Sequence, residues 1–523
     1  MLAAGEWLYA YSSFWDLALA LLGLFVFCCI RERVTNKKGV MLWPVLGVLP
    51  TILFHRNDLY NFATRTLIRA GGTFHYRGIW MGGARGIMTA DPSNIKYVLK
   101  TNFKNFPKGK FFGERFQNLL GDGIFNSDGE LWKEQRVVAK TEMHSSTFIG
   151  HSFRTIQYVV HQKLLKVMEK LAKSGDSFDL QDVLLRFTFD NICLSAFGVD
   201  PGSLAVDFPE VPFAKAFEAA TELSLYRFLT PDIVWKPMKF FGIGYEKRLK
   251  EAVKFVHDFA DKIVKDRRTK LRTEGNLDDQ SDLLSRLISI ECSEKGEGTQ
   301  QLPDQYFRDF CVSFILAGRD TTSVALVWFF WLVHNNPDVE SRILREIKDI
   351  LGRHRDSRKE DDDIAFTEEE LRSMVYLQAA LSESLRLYPS VPTEVKEAVE
   401  DDVLPDGTII KKGFRVFFSI ISMARMESIW GKDCLEFKPE RWLRNGMFVT
   451  ENEFKYAVFN AGPRLCLGKK YAYMQMKMVA ASVLLRYSVK VGEGQKVVPK
   501  LTTTLYVKNG LAVTLLPRLE TNA

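Results

Sequence analysis

The chain has 523 residues, with Lys+Arg 71 against Asp+Glu 64 for a formal charge of +7. Hydrophobic residues make up 46% and charged residues 26%, close to globular averages, which excludes wholesale disorder and collagen-like repeats. The mild basic excess is spread along the chain and is too dilute for a nucleic-acid protein, whereas 39 Phe, 10 Trp and 16 Tyr are enough flat apolar surface to line a large pocket as well as fill a core.

Residues 14–30 read FWDLALALLGLFVFCCI, with Asp16 as the single charge. As a helix this run spans about 25 Å, enough for a thin bilayer. Glu6 precedes it and Arg31, Arg33, Lys37 and Lys38 follow, which places the C-terminal side in the cytosol. A cleaved signal peptide is the alternative, but it needs a basic leader and a small-residue cleavage site, and neither is present. Residues 1–31 are therefore expected to form a membrane anchor. Residues 32–50, stiffened by Pro44 and Pro50, form a hinge, and 51–523 form one large body. The cysteines (Cys28, Cys29, Cys193, Cys292, Cys311, Cys434 and Cys466) include no CxxC pair and no zinc spacing, and read as reduced thiols facing the cytosol.

Within the body, residues 268–301 are poor in large apolar side chains and predict an exposed connection, and 352–363 (GRHRDSRKEDDD) predict a solvated loop. A long apolar helix is expected from Pro303 to His334, and another from Asn336 and Pro337 to about Leu351. A third opens on a Thr367–Glu370 capping box and runs without a break to Tyr388, before Pro389. After Val489, alternating runs separated by Gly turns predict a small sheet. The body is mainly α with a minor β portion, an α+β fold.

The usual hydrolytic and nucleotide signatures are missing: no GxSxG, no HExxH and no GxGxxG after a strand. GPRLCLGKK has the wrong glycine spacing for a phosphate loop. The informative segment is FNAGPRLCLG, 459–468, where Cys466 sits in a loop shaped by Gly462, Pro463 and Gly468, with Arg464 two residues before it and a periodic helix after about Leu467. A helix N-terminus and a nearby guanidinium both stabilise a thiolate. Taken alone, Cys466 reads equally well as an inert buried thiol.

Four further features accompany it: Trp132 and Arg136 on one helical face, Glu383 and Arg386 in an ExxR pair, Arg441 in FKPERW, and AGRDTT (317–322) midway along the long helix. Each is weak singly. In this order, together with FNAGPRLCLG, they resemble the haem-thiolate monooxygenases of the cytochrome P450 family over the whole span from anchor to last hairpin. The resemblance implies one large, mainly helical P450 fold with small sheets. It makes Cys466 the axial thiolate ligand of a haem b iron, with Arg464, Trp132 and Arg136 as donors to the haem propionates. Glu383, Arg386 and Arg441 become a buried structural network holding the cysteine loop. Asp320 and Thr321 become the proton relay for O2 activation, and Gly318 leaves room for oxygen. Arg319 falls at a position that the family leaves variable.

RFTFDNIC (186–193), ESLRLYPSVP (383–392) and KYAVFNAGPRLCLGK (455–469) resemble the plant fatty-acid ω-hydroxylase branch. Lys470, Tyr471 and TEVKEAVE after the ExxR helix depart from it. The implied protein is an endoplasmic-reticulum enzyme with its body in the cytosol, taking electrons from NADPH-cytochrome P450 reductase and oxidising a long-chain fatty acid, for polymers such as cutin, suberin or sporopollenin. Lys133, Lys469 and Lys470 would face the acidic reductase. The segment 106–125 falls where the family places a substrate loop, with Phe111, Phe112 and Phe116 as channel walls and Gly113, Gly121 and Gly123 as hinges. The alternatives are a hydroxylase of an alkane, sterol or terpenoid, a reductase-independent haem-thiolate isomerase or dehydratase, and a non-enzymatic haem sensor; the intact Asp320–Thr321 pair tells against the isomerase.

Overall fold

The structure, a computed structural model, describes residues 2–79, 85–275, 281–294, 302–353 and 365–518. The first helix, Leu2–Thr35, contains an apolar span, Phe14–Thr35, with mean hydropathy 2.0 and none of it buried against the body. It runs straight through residue 31 to Thr35, because Arg31 and Arg33 are good helix formers. The following segment is bonded to the body: Trp43 Nε1 donates to Thr51 Oγ1 at 3.1 Å, and the Val48 N–H donates to the Arg77 carbonyl at 2.8 Å.

The helix Asp304–His334 is longer than that span, at 31 residues, and less apolar, with mean hydropathy 1.4, and 78% of its apolar window is buried, so it is the spine of the core. A π turn at Leu316–Asp320 interrupts it. Helices Leu180–Phe197, Val375–Leu387 and Lys469–Arg486 surround it, and their apolar faces merge with it into the largest hydrophobic cluster.

The expected exposed connection at 268–301 is corrected. The helix Gly244–Glu274 continues past residue 268, and Leu283–Glu294 is itself a helix that buries Leu283, Leu284, Leu287 and Ile288. The polar residues there pair with each other instead of with water: Arg268 bonds Asp304 at 2.7 Å and Glu291 at 3.1 Å. Residues 276–280 and 295–301 lie outside the described residues. The helix Pro337–Arg353 takes in residues 352 and 353, and the rest of the predicted charged loop, to 363, also lies outside them.

The third expected helix is present but broken. The capping box forms, with Thr367 Oγ1 accepting from the Glu370 N–H at 3.2 Å and Glu370 Oε2 accepting from the Thr367 N–H at 2.8 Å. Met374 then leaves helical geometry, separating Glu368–Ser373 from Val375–Leu387. Glu346, from the neighbouring helix, accepts the freed N–H groups of Tyr376 and Leu377 at 2.6 and 2.9 Å, an N-cap supplied from another element.

The C-terminal sheet pairs Tyr487–Val491 antiparallel with Ala512–Pro517, which also pairs with Phe178–Asp179. The run after Thr502 is laid into the core as a loop, with Leu505 accepting from Trp328 Nε1 at 2.7 Å. A second sheet has four strands in the order Thr73–Arg77, Arg85–Thr89, Arg415–Ser419, Thr393–Glu397, with the middle pair parallel.

Candidate active site

The cysteine loop is held by its own backbone. The Cys466 N–H donates to the Phe459 carbonyl at 2.8 Å and the Leu465 N–H to Gly462 at 3.0 Å. Gly462 adopts φ +60, and a Cβ there would stand 2.3 Å from the Leu99 carbonyl oxygen, so only glycine fits. The helix Lys469–Arg486 starts just beyond. The Cys466 thiol has accessible surface although protein surrounds it closely enough for burial to push its proton affinity up, against the Gly468 N–H, Arg136 and Lys469. Surface that is accessible yet deep marks an internal cleft.

Around this cleft the structure brings together the residues expected from sequence. Arg464 stands 4.4 Å and Arg136 5.7 Å from the Trp132 ring centroid, and Arg136 donates to the Leu465 carbonyl. Arg464 Nη2 reaches Asp128 at 2.6 Å and the Ser127 carbonyl at 3.0 Å, while its Nε is buried without a partner. Asp128 also accepts from the N–H groups of Lys108 and Gly109, each at 2.9 Å, tying the cysteine loop to the helix Gly109–Leu120.

Sequence reasoning missed a third cation. Lys396 is fully buried; burial first and then Lys108 and Arg464 press its proton affinity down to about 7, against the pull of Glu394. Glu394 bridges Lys108 and Lys396 at 2.5 and 3.2 Å, and these charges bring it down to about 2 against burial. The readable signal was Glu-x-Lys in a strand, which puts both side chains on one face.

At the π turn, the Thr321 hydroxyl donates to the Ala317 carbonyl at 2.6 Å. The Arg319 carbonyl accepts from Thr188 at 2.7 Å and Ser323 at 2.9 Å, and the Thr321 carbonyl accepts from Ser390 at 2.7 Å. The wide turn is thus paid for by side chains of neighbouring elements. Asp320 is 0% and Arg319 2% exposed. Arg319 bonds Asp320 Oδ1 at 2.6 Å and Glu218 at 2.7 Å, so the position taken as variable has a specific partner on each side. Burial holds the Asp320 carboxyl above its usual range, with Arg319 opposing. A Cβ on Gly318 would meet Ile192 at 2.5 Å, which adds helix packing to the reasons for that glycine.

Glu383 and Arg386 are buried and bidentate, Nε to Oε2 and Nη2 to Oε1, both at 2.8 Å. Arg441 reaches Glu383 at 3.3 Å and Trp442 Nε1 donates to it at 2.9 Å. Arg386 also donates to the Ala424 and Cys434 carbonyls at 2.6 and 2.8 Å. The network grips the segment 424–442 directly and meets the cysteine segment through Trp442 against Tyr456, centroids 4.5 Å apart.

Phe111 and Phe116 are buried on the helix Gly109–Leu120, and with Phe112 they pack around Phe228 at 5.2–5.9 Å. The expected hinges are corrected at two positions: a Cβ on Gly121 would strike Asp309 at 2.0 Å and one on Gly123 would strike Ser313 at 2.3 Å, so these glycines permit close packing. Lys133 pairs with Glu130 at 3.2 Å. Lys469 and Lys470 line a cavity of about 630 Å³ with Met143, His144 and, from the cysteine loop itself, Leu465 and Leu467.

A π turn in a buried spine, a cysteine loop feeding a helix, and a buried Glu–Arg–Arg cluster form the scaffold of a haem-thiolate protein. The chain matches the cytochrome P450 family model over residues 39–515 and belongs to that family, whose members hold haem through a cysteine thiolate. It is 50% identical over 503 residues to cytochrome P450 86B1 of Arabidopsis thaliana, covering 95% of this chain and 89% of the relative. It is 39% identical over 520 residues to cytochrome P450 94A2 of Vicia sativa, covering 97% and 96%. It is 35% identical over 514 residues to noroxomaritidine synthase 1 of Narcissus pseudonarcissus, covering 98% of each. The residues here fit the cofactor: an accessible thiol in a deep cleft, an unpartnered buried Nε on Arg464 and three cations suited to two carboxylates.

Proposed function

We propose that this protein is a membrane-anchored monooxygenase that hydroxylates a long-chain fatty acid at its terminal carbon, with electrons from NADPH passed by a reductase. In this reading residues 1–31 anchor the protein in the endoplasmic reticulum, 32–50 connect, and 51–523 form the catalytic domain facing the cytosol. Cys466 would supply the thiolate that binds the haem iron, and Trp132, Arg136 and Arg464, joined by Lys396, would hold the propionates. Bound haem supplies activation of O2 for insertion into a C–H bond.

The observation that carries oxygen insertion, as against isomerisation, is the Asp320–Thr321 pair at the π turn. A hydroxyl and a carboxyl on adjacent residues pass a proton inward without admitting bulk water: Thr321 presents its hydroxyl, and Asp320, kept in a buried ion pair with Arg319, resupplies it. Glu383, Arg386 and Arg441 act structurally. Lys469 and Lys470 offer positive charge beside the cysteine loop to an acidic reductase.

Terminal attack needs restraint, because a terminal methyl C–H bond is stronger than its methylene neighbours. The Phe111, Phe112, Phe116 and Phe228 cluster supplies a rigid aromatic wall, which favours a fatty chain held end-on. The test is product analysis from microsomes containing the full chain and a reductase. Free acids of about twelve to twenty-four carbons should give NADPH-dependent ω-hydroxy acids. Products from a sterol, terpenoid or alkane in place of the acids, or from a hydroperoxide without NADPH, contradict the reading.

A further inference from the structure

The cavity bordered by Lys469 and Lys470 is distinct from the cleft of Cys466, Arg464 and Trp132. None of those three lines it, although Leu465 and Leu467, on either side of the cysteine, do. Its volume of about 630 Å³ lies within the range of about 300–1,000 Å³ that small-molecule sites occupy. Phe148 and Ile149 from the helix Ser146–Val159, Trp442, Phe448 and Met474 give it apolar walls.

Two polar groups are buried in those walls with bonding capacity to spare. Lys470, Met474 and Lys477 recur at i, i+4 and i+7 of the helix Lys469–Arg486, so they share one face. Lys470 is exposed at the mouth, whereas Lys477, two turns further along, is only 7% exposed. An ammonium has three donors, and among the described residues the Lys477 Nζ donates only to the Leu371 carbonyl, at 2.9 Å. Burial brings Lys477 down to about 8, with Glu346 opposing, so it is mainly protonated at neutral pH. Glu346 itself is committed to the N–H groups of Tyr376 and Leu377. From the helix Ser146–Val159, Ser152 lines the same cavity; it is 1% exposed, and its hydroxyl is buried without a partner.

The acids of the lining do not cancel this charge. Glu368 pairs with Arg372 and Glu451 with Lys455 at 3.2 Å. Among the described lining residues, that leaves Glu453 against Lys469, Lys470 and Lys477. A positive surplus, with one ammonium and one hydroxyl set into apolar walls, matches a single carboxylate on a long apolar chain.

We propose that this cavity is a second fatty-acid site, in which Lys477 and Ser152 hold the carboxylate of a long-chain acid outside the reaction channel. Occupancy adds a negative charge to the cavity that Lys469 and Lys470 border, and so lowers the positive charge offered to an acidic reductase. Excess acid thereby slows electron supply without competing for the channel. This effect on electron supply rests on the reductase reading above; the site itself does not.

The test uses the full-length holoenzyme and hexadecanoic acid carrying a photoreactive diazirine in its chain, with cross-linked peptides located by mass spectrometry. Wild type should cross-link within 146–159 and 469–486, and unlabelled hexadecanoic acid should compete, its methyl ester about tenfold less. Lys477→Met, which keeps the apolar stem, should lower labelling there on the order of ten- to hundredfold, and Lys477→Arg should restore part of it. Met474→Trp, which fills the space and keeps the charge, should also block it. The Soret shift with hexadecanoic acid, which reads the channel, should be the same in every variant, and the carbon monoxide spectrum confirms that the haem site has folded. In wild type, acid beyond saturation of the Soret shift should slow reductase-driven turnover and spare peroxide-driven turnover, and Lys477→Met should relieve the slowing. No cross-link in these segments, equal competition by the ester, or displacement by phosphatidylglycerol vesicles in preference to the acid overturns the site. Labelling without any slowing overturns its effect on electron supply. Labelling with no Soret shift contradicts the fatty-acid substrate and leaves this site standing.

Discussion

Arg319 and Asp320 are consecutive residues that bond each other, Nη1 to Oδ1 at 2.6 Å. On a regular helix neighbours in sequence do not face each other; these two sit at the end of the π turn Leu316–Asp320, which changes the angular step between successive side chains. Arg319 favours the ionised carboxylate and burial disfavours it. Without the guanidinium, Asp320 keeps its proton to higher pH. Because Asp320 resupplies a proton, its acid form is the active one, and Arg319→Gln should therefore move the alkaline limb of the turnover profile upward by about one pH unit or more. An unmoved limb means that Asp320 does not titrate in the rate-limiting path.

Thr321→Ala removes a hydroxyl and little volume, so haem and substrate should still bind. NADPH oxidation should continue while product per NADPH falls on the order of tenfold or more and hydrogen peroxide rises. Unchanged coupling speaks against the relay.

The Glu383 network is buried and fully bonded, which makes its loss costly. Glu383→Gln keeps the shape but leaves Arg386 and Arg441 with no carboxylate at its centre, a loss of about 3–5 kcal/mol. Thermal melts and haem content after purification check this; a variant with native melting and full haem content contradicts it.

These two clusters show how legibility depends on sequence distance. Glu383 and Arg386 lie on one helix, and Cys466 sits in a loop whose glycines and proline announce its shape, so local spacing revealed them. The broad fold was readable for the same reason, since long apolar periodicities mark the spine and its neighbours. Glu218 meets Arg319 from 101 residues away, and Glu394 meets Lys108 from 286. No local pattern encodes such partners. The helix at Leu283–Glu294 was missed because its apolar residues are gathered on one buried face and its charges pair with distant elements, Arg286 with Glu142 and Glu291 with Arg268.

Phe112 is the wall residue whose change disturbs least, being only half-buried and stacked on Phe116 at 4.9 Å. Phe112→Ala should shift product from the terminal carbon toward in-chain positions while haem content stays near wild type. Phe111→Ala should do the same. A wild-type ratio of positional isomers in both variants removes these residues from the channel.

The central claim is that the chain builds its oxygen-activating centre on Cys466, and the reduced carbon monoxide difference spectrum tests it most directly. Wild type should show the red-shifted Soret band of a thiolate-ligated haem. Cys466→Ala and Cys466→His should abolish that band, and Cys434→Ala, a buried thiol beside the Glu383 network, should retain it. A thiolate band that survives in either Cys466 variant contradicts the account.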